Sequence, residues 1–544
     1  MEDKPLHEYL RQHARATPNK TALVWYGHEM SYAELDSLTD KCAAFLHRLG
    51  VRRGEPVALF MQNCCQYVIA HFGIQKLGAI VSPCSPLFKH HELGYQLQDL
   101  GARVIVAADG LLPVVQAARP QTALQHVVTT RYSDFLPQTP AYTAPEDIKP
   151  HGGGLAQGVL DLCTELEKVD AARATESMGL ENADAAPAAE SIGLDDVSLL
   201  AYTSGTTGRP KGAMLTYRNA LFKARRGAMA GGLTQEDVHL AIPPLYHISG
   251  MLCGINIPIY LGGTIVLHYR FNTVSAVESI ARYRPTYWKA IAPMLQSIMD
   301  DPAAQGFDLS SLRKCPATSF GIRTTPELAE RWRVFTGDAL VYEAGYGLTE
   351  THTFDSVTPP DAVRWGSNGK LLPGVECRII SIETGQEQPP GATGEIVLRS
   401  PGNFKGYWKQ PEKTAETLSD GWVRTGDLGS VDADGYLTLS GRMKELIKVS
   451  GYSVFPEDVE SILVVHPGIS QVAVIGVDDP AKGQVVAAFV VPKPGYELDA
   501  DALIAWCREN MSAYKVPKMI EFCELLPMTA SGKVKRNMLR VAVA

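Results

Sequence analysis

Between Tyr202 and Gly212 the chain reads YTSGTTGRPKG, a loop that gathers small hydroxyl residues, three glycines and one lysine. Residues of this kind let backbone N–H groups converge on an anion, because glycine admits positive φ and close approach. Ser204, Thr206 and Thr207 add hydroxyl donors, and Lys211 adds a positive charge. The chemistry on offer is that of a phosphate cradle. It is not the P-loop of nucleotide triphosphatases, since Pro210 precedes the lysine and Gly212 follows it. Taken alone, the stretch also fits a mobile glycine-rich loop.

Four further motifs follow in order: YGLTE at Tyr346–Glu350, GWVRTGDLG from Gly421, GRMKELIKVSGYSVFPEDVE from Gly441, and LPMTASGKVKR from Leu526. Singly, each has a plain structural reading. YGLTE can cap a helix, Asp427 and Arg442 can form a structural ion pair, and Lys533 can be a surface lysine. In this order and spacing the five motifs resemble the adenylate-forming superfamily of acyl-CoA synthetases, luciferases and peptide-synthetase adenylation domains. The resemblance spans the chain except for an acidic stretch near its first third.

The resemblance implies a large N-terminal domain, 1–443, and a C-terminal lid, 444–544, hinged at Lys444. It implies a two-step reaction: a carboxylate attacks the α-phosphate of ATP and releases pyrophosphate, then the thiol of coenzyme A displaces AMP from the acyl-adenylate. On this reading Thr203, Ser204, Gly205, Thr206, Thr207, Gly208 and Lys211 surround the β- and γ-phosphates. Thr349 meets the α-phosphate, and Glu350 holds Mg²⁺, a hard ion content with one carboxylate, phosphate oxygens and water. Tyr346 and Gly347, with Gly321, line the adenine. Asp427 accepts from the ribose hydroxyls with Arg442 beside it. Lys533 stabilises the charge that gathers in the first step. The lid then turns about Lys444 to bring Lys448 and Gly451 to the site for coenzyme A. His247, in PPLYHISG, falls near the acid's carboxylate, with a buried core histidine as the rival reading.

Two positions depart from the family's pattern. Phe320, before Gly321 and Ile322, stands where a small residue is common, and Ala344 stands where glutamine often precedes GYG. Both concern the acid rather than the ATP machinery. The expected pocket walls, YHISGMLCGINIPIY, ATSFGI and YEAGYG, are apolar and aromatic, which suits a hydrophobic monocarboxylate. A medium- or long-chain fatty acid leads, and an aryl or phenylpropenoic acid follows. Three rival functions share part of the pattern. Nothing selects the oxygen chemistry of a luciferase, and no carrier domain follows the lid for an enzyme that loads one. A non-catalytic nucleotide binder is disfavoured by the joint presence of Glu350, Asp427, Arg442 and Lys533.

The elements that must position these residues alternate. TALVWY reads as a strand; Ser31 caps a helix whose Leu35, Leu38, Cys42, Phe45 and Leu49 recur at helical spacing until Gly50. PVALFM and AIVSPC are further short buried strands with a helix between them, so the fold class is α/β, with mostly parallel sheets covered by helices. From about Pro137 to Leu194 the pattern fails, and a solvated, flexible insertion of about 140–194 is expected, with a near-repeat at Glu176 and Glu190. Beyond GRMKEL, helix, strand, strand, helix indicate a small α+β lid.

The chain has 544 residues, too many for one core, and is 45% hydrophobic and 20% charged, a globular composition. Its net charge of −8 gives no basic footprint for nucleic acid. Between Ala144 and Val197 lie twelve acidic and three basic residues, which accounts for the acidity. Ten cysteines without paired spacing suit reduced thiols and a cytoplasmic protein. The N-terminus lacks a signal-type apolar run, and Gly250–Leu267 is too broken for a membrane span. The sequence leaves the oligomeric state open, a homodimer among the options.

Overall fold

A computed structural model describes residues 3–150, 157–170, 192–203, 209–319, 322–449, 452–479, 483–528, 533–536 and 538–539. A seven-stranded sheet runs, edge to edge, through Val159–Asp161, His126–Thr130, Val104–Ala108, Pro56–Phe60, Ile80–Cys84, Val197–Thr203 and Lys211–Thr216. Its neighbours are parallel except the last pair, an antiparallel hairpin with Thr203 opposite Lys211. The strands Ile80–Cys84 and Val104–Ala108 are buried throughout, which is why they read as unbroken runs rather than alternating ones.

The helix Tyr32–Arg48 begins where expected, with Ser31 accepting from the Glu34 N–H at 3.2 Å. Leu35, Cys42 and Phe45 face the core, and Gly50 follows at φ +86°. A second sheet sets Val238–Ala241, Thr264–Leu267 and Thr21–Trp25 parallel, with His28–Ser31 antiparallel at its edge. Three more parallel strands, Ala290–Ile291, Lys314–Thr318 and Leu340–Glu343, join it through bridges at Tyr287. An antiparallel sheet containing Gly394–Arg399, Trp422–Val431 and Leu437–Arg442 follows.

The C-terminal domain is a sheet of Tyr452–Val454, Ile447–Val449, Gly483–Pro492, Ile469–Asp479 and Met519–Phe522, with helices Pro456–Leu463 and Ala500–Asn510. The two parts keep separate cores. Buried apolar clusters of the first part reach no further than Leu437, and those of the second begin at Ile447.

One expectation is corrected. Within the stretch assigned to a flexible insertion, Val159–Asp161 forms the edge strand of the seven-stranded sheet, and Asp161 caps the helix Leu162–Glu167 by accepting from the Thr164 N–H at 2.9 Å. Three residues of strand are too few to leave a periodic signal, and the acidic composition around them concealed it. The near-repeat at Glu176 and Glu190 begins outside the described residues. Gly250–Leu267 folds as short helical turns, including a π-turn at Leu252–Asn256, and then a strand. Among the described residues no helix is long and apolar enough to cross a membrane. All ten cysteines are free.

Candidate active site

The strands Val197–Thr203 and Lys211–Thr216 form an antiparallel pair at one edge of the largest sheet. Ser204, Gly205, Thr206, Thr207 and Gly208 lie outside the described residues, as do Phe320, Gly321 and Gly451. Lys211 Nζ sits 3.9 Å from the centroid of the Tyr407 ring, a cation–π contact. The Tyr407 hydroxyl donates to Glu350 Oε1 at 2.7 Å. Backbone bonds stitch Tyr407's segment to the lysine's strand: the Met214 N–H donates to Gly406 O at 2.9 Å and the Trp408 N–H to Gly212 O at 2.8 Å. Burial lowers the pKa of Lys211, opposed by the charge of Glu350.

Thr349 and Glu350 open the 3₁₀ turn Thr349–Thr351. Gly347 has a packing duty, since a Cβ there would stand 2.4 Å from the Phe354 backbone nitrogen. His352, Thr353 and Phe354 then follow in left-handed conformation, at φ 56°, 55° and 49°. Below them Lys223 Nζ donates to Asp355 Oδ1 at 2.7 Å and to Phe354 O at 3.0 Å, a fully buried ion pair.

Asp427 and Arg442 are cross-strand partners, with Arg442 Nε 3.0 Å from Asp427 Oδ1. The Tyr346 hydroxyl donates to Asp427 Oδ2 at 2.8 Å. Tyr346 is buried at 7% exposure, so the expected aromatic wall also orients the carboxylate. An ionised carboxylate offers about four lone-pair sites, and these two bonds leave capacity for a pair of hydroxyls. Burial raises the Asp427 pKa against the opposing pull of Arg442.

Lys533 reaches this cluster from the far end of the chain, beside Val534, which bridges to Met528. It is solvent-accessible yet walled by protein, and burial, then Arg442, lowers its pKa, while Asp427, Glu445 and Glu350 raise it. Three residues on, Arg536 pairs with Glu460 at 2.7 Å and with Glu445.

His247 caps the helix Ile248–Met251, its Nδ1 accepting from the Ser249 N–H at 3.3 Å. That bond places the ring proton on Nε2. Burial, then Lys533 and Lys289, pushes its pKa down to about 4, so it is neutral at pH 7. Gly250 makes the position attainable, because a Cβ there would meet Pro244 O at 2.1 Å. Lys444 lies in the turn Met443–Glu445 between the two domains, and its charge is felt at Lys211. Lys448 is exposed on the strand Ile447–Val449.

The structure thus gathers Lys211, Glu350, Asp427, Arg442, Lys533 and His247 within electrostatic reach of one another. Sequence reasoning missed Tyr407, whose only trace is an aromatic pair in FKGYWKQ, and Arg536. It also missed Lys289, which is buried just before the strand Ala290–Ile291.

A larger α/β domain, a small C-terminal domain and a convergence of cations around two carboxylates define a nucleotide-dependent ligase architecture. The chain belongs to the family of AMP-binding enzymes, whose model matches residues 10–408, with the family's C-terminal domain at 458–533. It is 33% identical to a long-chain-fatty-acid–CoA ligase of Bacillus subtilis over 99% of this chain and 94% of that protein. It is 34% identical to a feruloyl-CoA synthase of an Amycolatopsis species over 99% of both chains. An anthranilate–CoA ligase solved with anthranoyl-AMP superposes with a TM-score of 0.85 at 31% identity, covering 99% of this chain and 97% of that one. The chain is accordingly an AMP-forming acid–thiol ligase of the acyl-CoA ligase family, with ATP and coenzyme A as co-substrates.

Proposed function

We propose that the chain is an acyl-CoA synthetase that activates a hydrophobic monocarboxylic acid as its adenylate and transfers the acyl group to coenzyme A. The observation that carries the residue assignment is the approach of Lys533, from the lid, to a site otherwise built by the N-terminal domain. Carboxylate oxygen is a poor leaving group and AMP a good one, which is why the acid is adenylated before the thiol attacks.

In the first step the acid's carboxylate oxygen attacks the α-phosphorus and pyrophosphate leaves. Lys211 and the hydroxyl-rich loop hold the β- and γ-phosphates, Asp427 holds the ribose, and Lys533 balances the charge gathering at the α-phosphate. His247 offers its Nε2 proton to the acid's carboxylate as a neutral donor. Glu350 would hold Mg²⁺, and the residues fit. The Tyr407 hydroxyl fixes the Glu350 carboxylate beside Lys211, a setting for a hard ion that takes one carboxylate and fills its shell with phosphate oxygens and water. Bound there, the ion would neutralise phosphate charge.

The domain boundary is proposed at Lys444, in keeping with the separate cores on either side. Rotation there withdraws Lys533 and brings Lys448 and Gly451 to the acyl-adenylate, where the thiol displaces AMP. Free, mostly buried cysteines suit a reducing, cytoplasmic setting.

A medium- or long-chain fatty acid is the first reading of the acid, supported by the apolar segment Gly250–Leu261 and by the names of several relatives. An aryl or phenylpropenoic acid is the second, favoured by Lys289 and Glu343 at the strand ends and by the feruloyl and anthranilate relatives. Supplying ATP, magnesium, coenzyme A and a panel of acids while following AMP and thioester tests the proposal. Thioester formed with no carrier protein supports it; no turnover of any acid contradicts it.

A further inference from the structure

Lys289 is 4% exposed, yet no carboxylate stands within 4.0 Å of its ammonium among the described residues, in contrast to the buried Lys76 and Lys223. Its Nζ donates to Ala290 O at 3.0 Å and to Thr318 Oγ1. An ammonium has three N–H donors, so one is left without an acceptor among the described residues. A buried cation kept in this state is costly unless something else answers it.

Its location gives the cost a purpose. Lys289 immediately precedes the strand Ala290–Ile291, and Thr318 and Glu343 end the next two strands of the same parallel group. The carboxyl ends of parallel strands are where such sheets receive ligands. Opposite lies the helical segment that carries His247 and Cys253, and the charge of Lys289 is felt at both. Burial lowers the lysine's own pKa, opposed by Cys253 and Glu343. Glu343 does not close on the lysine, because it accepts instead from the Ser319 hydroxyl. The ammonium therefore sits within electrostatic reach of the neutral histidine assigned to the acid's carboxylate, and is held rigid by Thr318.

We propose that Lys289 is a specificity-determining residue that donates its remaining N–H to an oxygen substituent on the body of the acid, so that the preferred substrate is an oxygenated rather than a bare hydrophobic acid. This rests on the ligase reading above and refines it. An oxygen on the acyl body, such as a ring hydroxyl, satisfies the third donor; a bare chain or ring buries it unanswered. The same asymmetry sets the discrimination, since a site built to hydrogen-bond an oxygen is penalised by the analogue that lacks it.

The test compares kcat/KM for AMP release within matched pairs of acids: cinnamate and 4-hydroxycinnamate, benzoate and the three hydroxybenzoates, octanoate and 8-hydroxyoctanoate. The full chain should favour the oxygenated member of at least one pair. Lys289→Met should collapse that ratio by at least about tenfold, the scale of one hydrogen bond from a charged donor, chiefly by loss on the oxygenated acid. Should Lys289→Met fail to fold, Thr318→Val, which frees the ammonium from its brace, must lower the same ratio. A preference for the bare acid in every pair overturns the proposal, as does a ratio unchanged within about twofold in whichever variant folds. Absence of AMP with every acid would instead overturn the ligase reading itself, so the two failures are distinguishable.

Discussion

Tyr407 donates its hydroxyl to Glu350 at 2.7 Å while the face of the same ring holds the ammonium of Lys211. One side chain thereby fixes the spacing between Lys211, proposed to hold phosphate, and Glu350, proposed to hold magnesium. Tyr407→Phe keeps the ring and removes the bond to Glu350. One net hydrogen bond to a charged group is worth about 1.5–3 kcal/mol, so a tenfold or greater loss in kcat/KM for Mg·ATP is expected. Pyrophosphate release measured against magnesium concentration checks it, and the loss should ease as magnesium rises.

Tyr346 and Arg442 each claim one oxygen of Asp427, which orients the carboxylate for its proposed bonds to two ribose hydroxyls. Asp427→Asn removes the charge and exchanges an acceptor for a donor beside Arg442. The KM for ATP should rise by about ten- to a hundredfold, with a much smaller effect on thioester formation from a supplied acyl-adenylate, whose binding also draws on the acyl pocket.

His247 carries a pH signature with a definite sign. Its imidazole titrates near 6.5 when unfolded and is pushed to about 4 in the folded chain. Between those values the unfolded chain binds more protons, so stability is full above 6.5 and falls as the pH drops toward 4. His247→Gln should flatten that part of the stability–pH curve, as read by denaturant midpoints. In activity the wild type should show no acid limb at pH 6.5 from this group.

Lys223 and Asp355 lie fully buried beneath the left-handed run His352–Phe354, a conformation that costs non-glycine residues about 1–2 kcal/mol each. Lys223→Leu leaves Asp355 buried without its cation and should destabilise by about 3–5 kcal/mol. Adding Asp355→Leu should recover part of it. Denaturant titration decides: a single variant within about 1 kcal/mol of wild type would show that the pair does not hold the turn.

The parts of this site legible in the sequence are those carried by short local motifs. Lys211 follows its glycine-rich loop, Asp427 lies in WVRTGDLG, and Lys533 ends TASGK, so each is marked by its neighbours. Tyr407 and Arg536 were not legible because their roles come from partners far away in sequence, at Glu350 and at Glu445 and Glu460. Lys289 was hidden for a different reason: in the run TYWKAIA one charge among apolar residues reads as a side chain reaching for water, whereas the fold keeps it inside. The main sheet was readable from its continuous apolar strands, and only its three-residue edge at Val159–Asp161 was lost in acidic surroundings.

Lys533, delivered by the C-terminal domain, is proposed to serve the first half-reaction and not the second. Lys533→Ala should be assayed separately for adenylate formation from ATP and acid and for thioester formation from supplied acyl-adenylate and coenzyme A. A loss of about 10²–10³ is expected in the first rate with the second nearly intact. Equal losses in both, or none in the first, would contradict it.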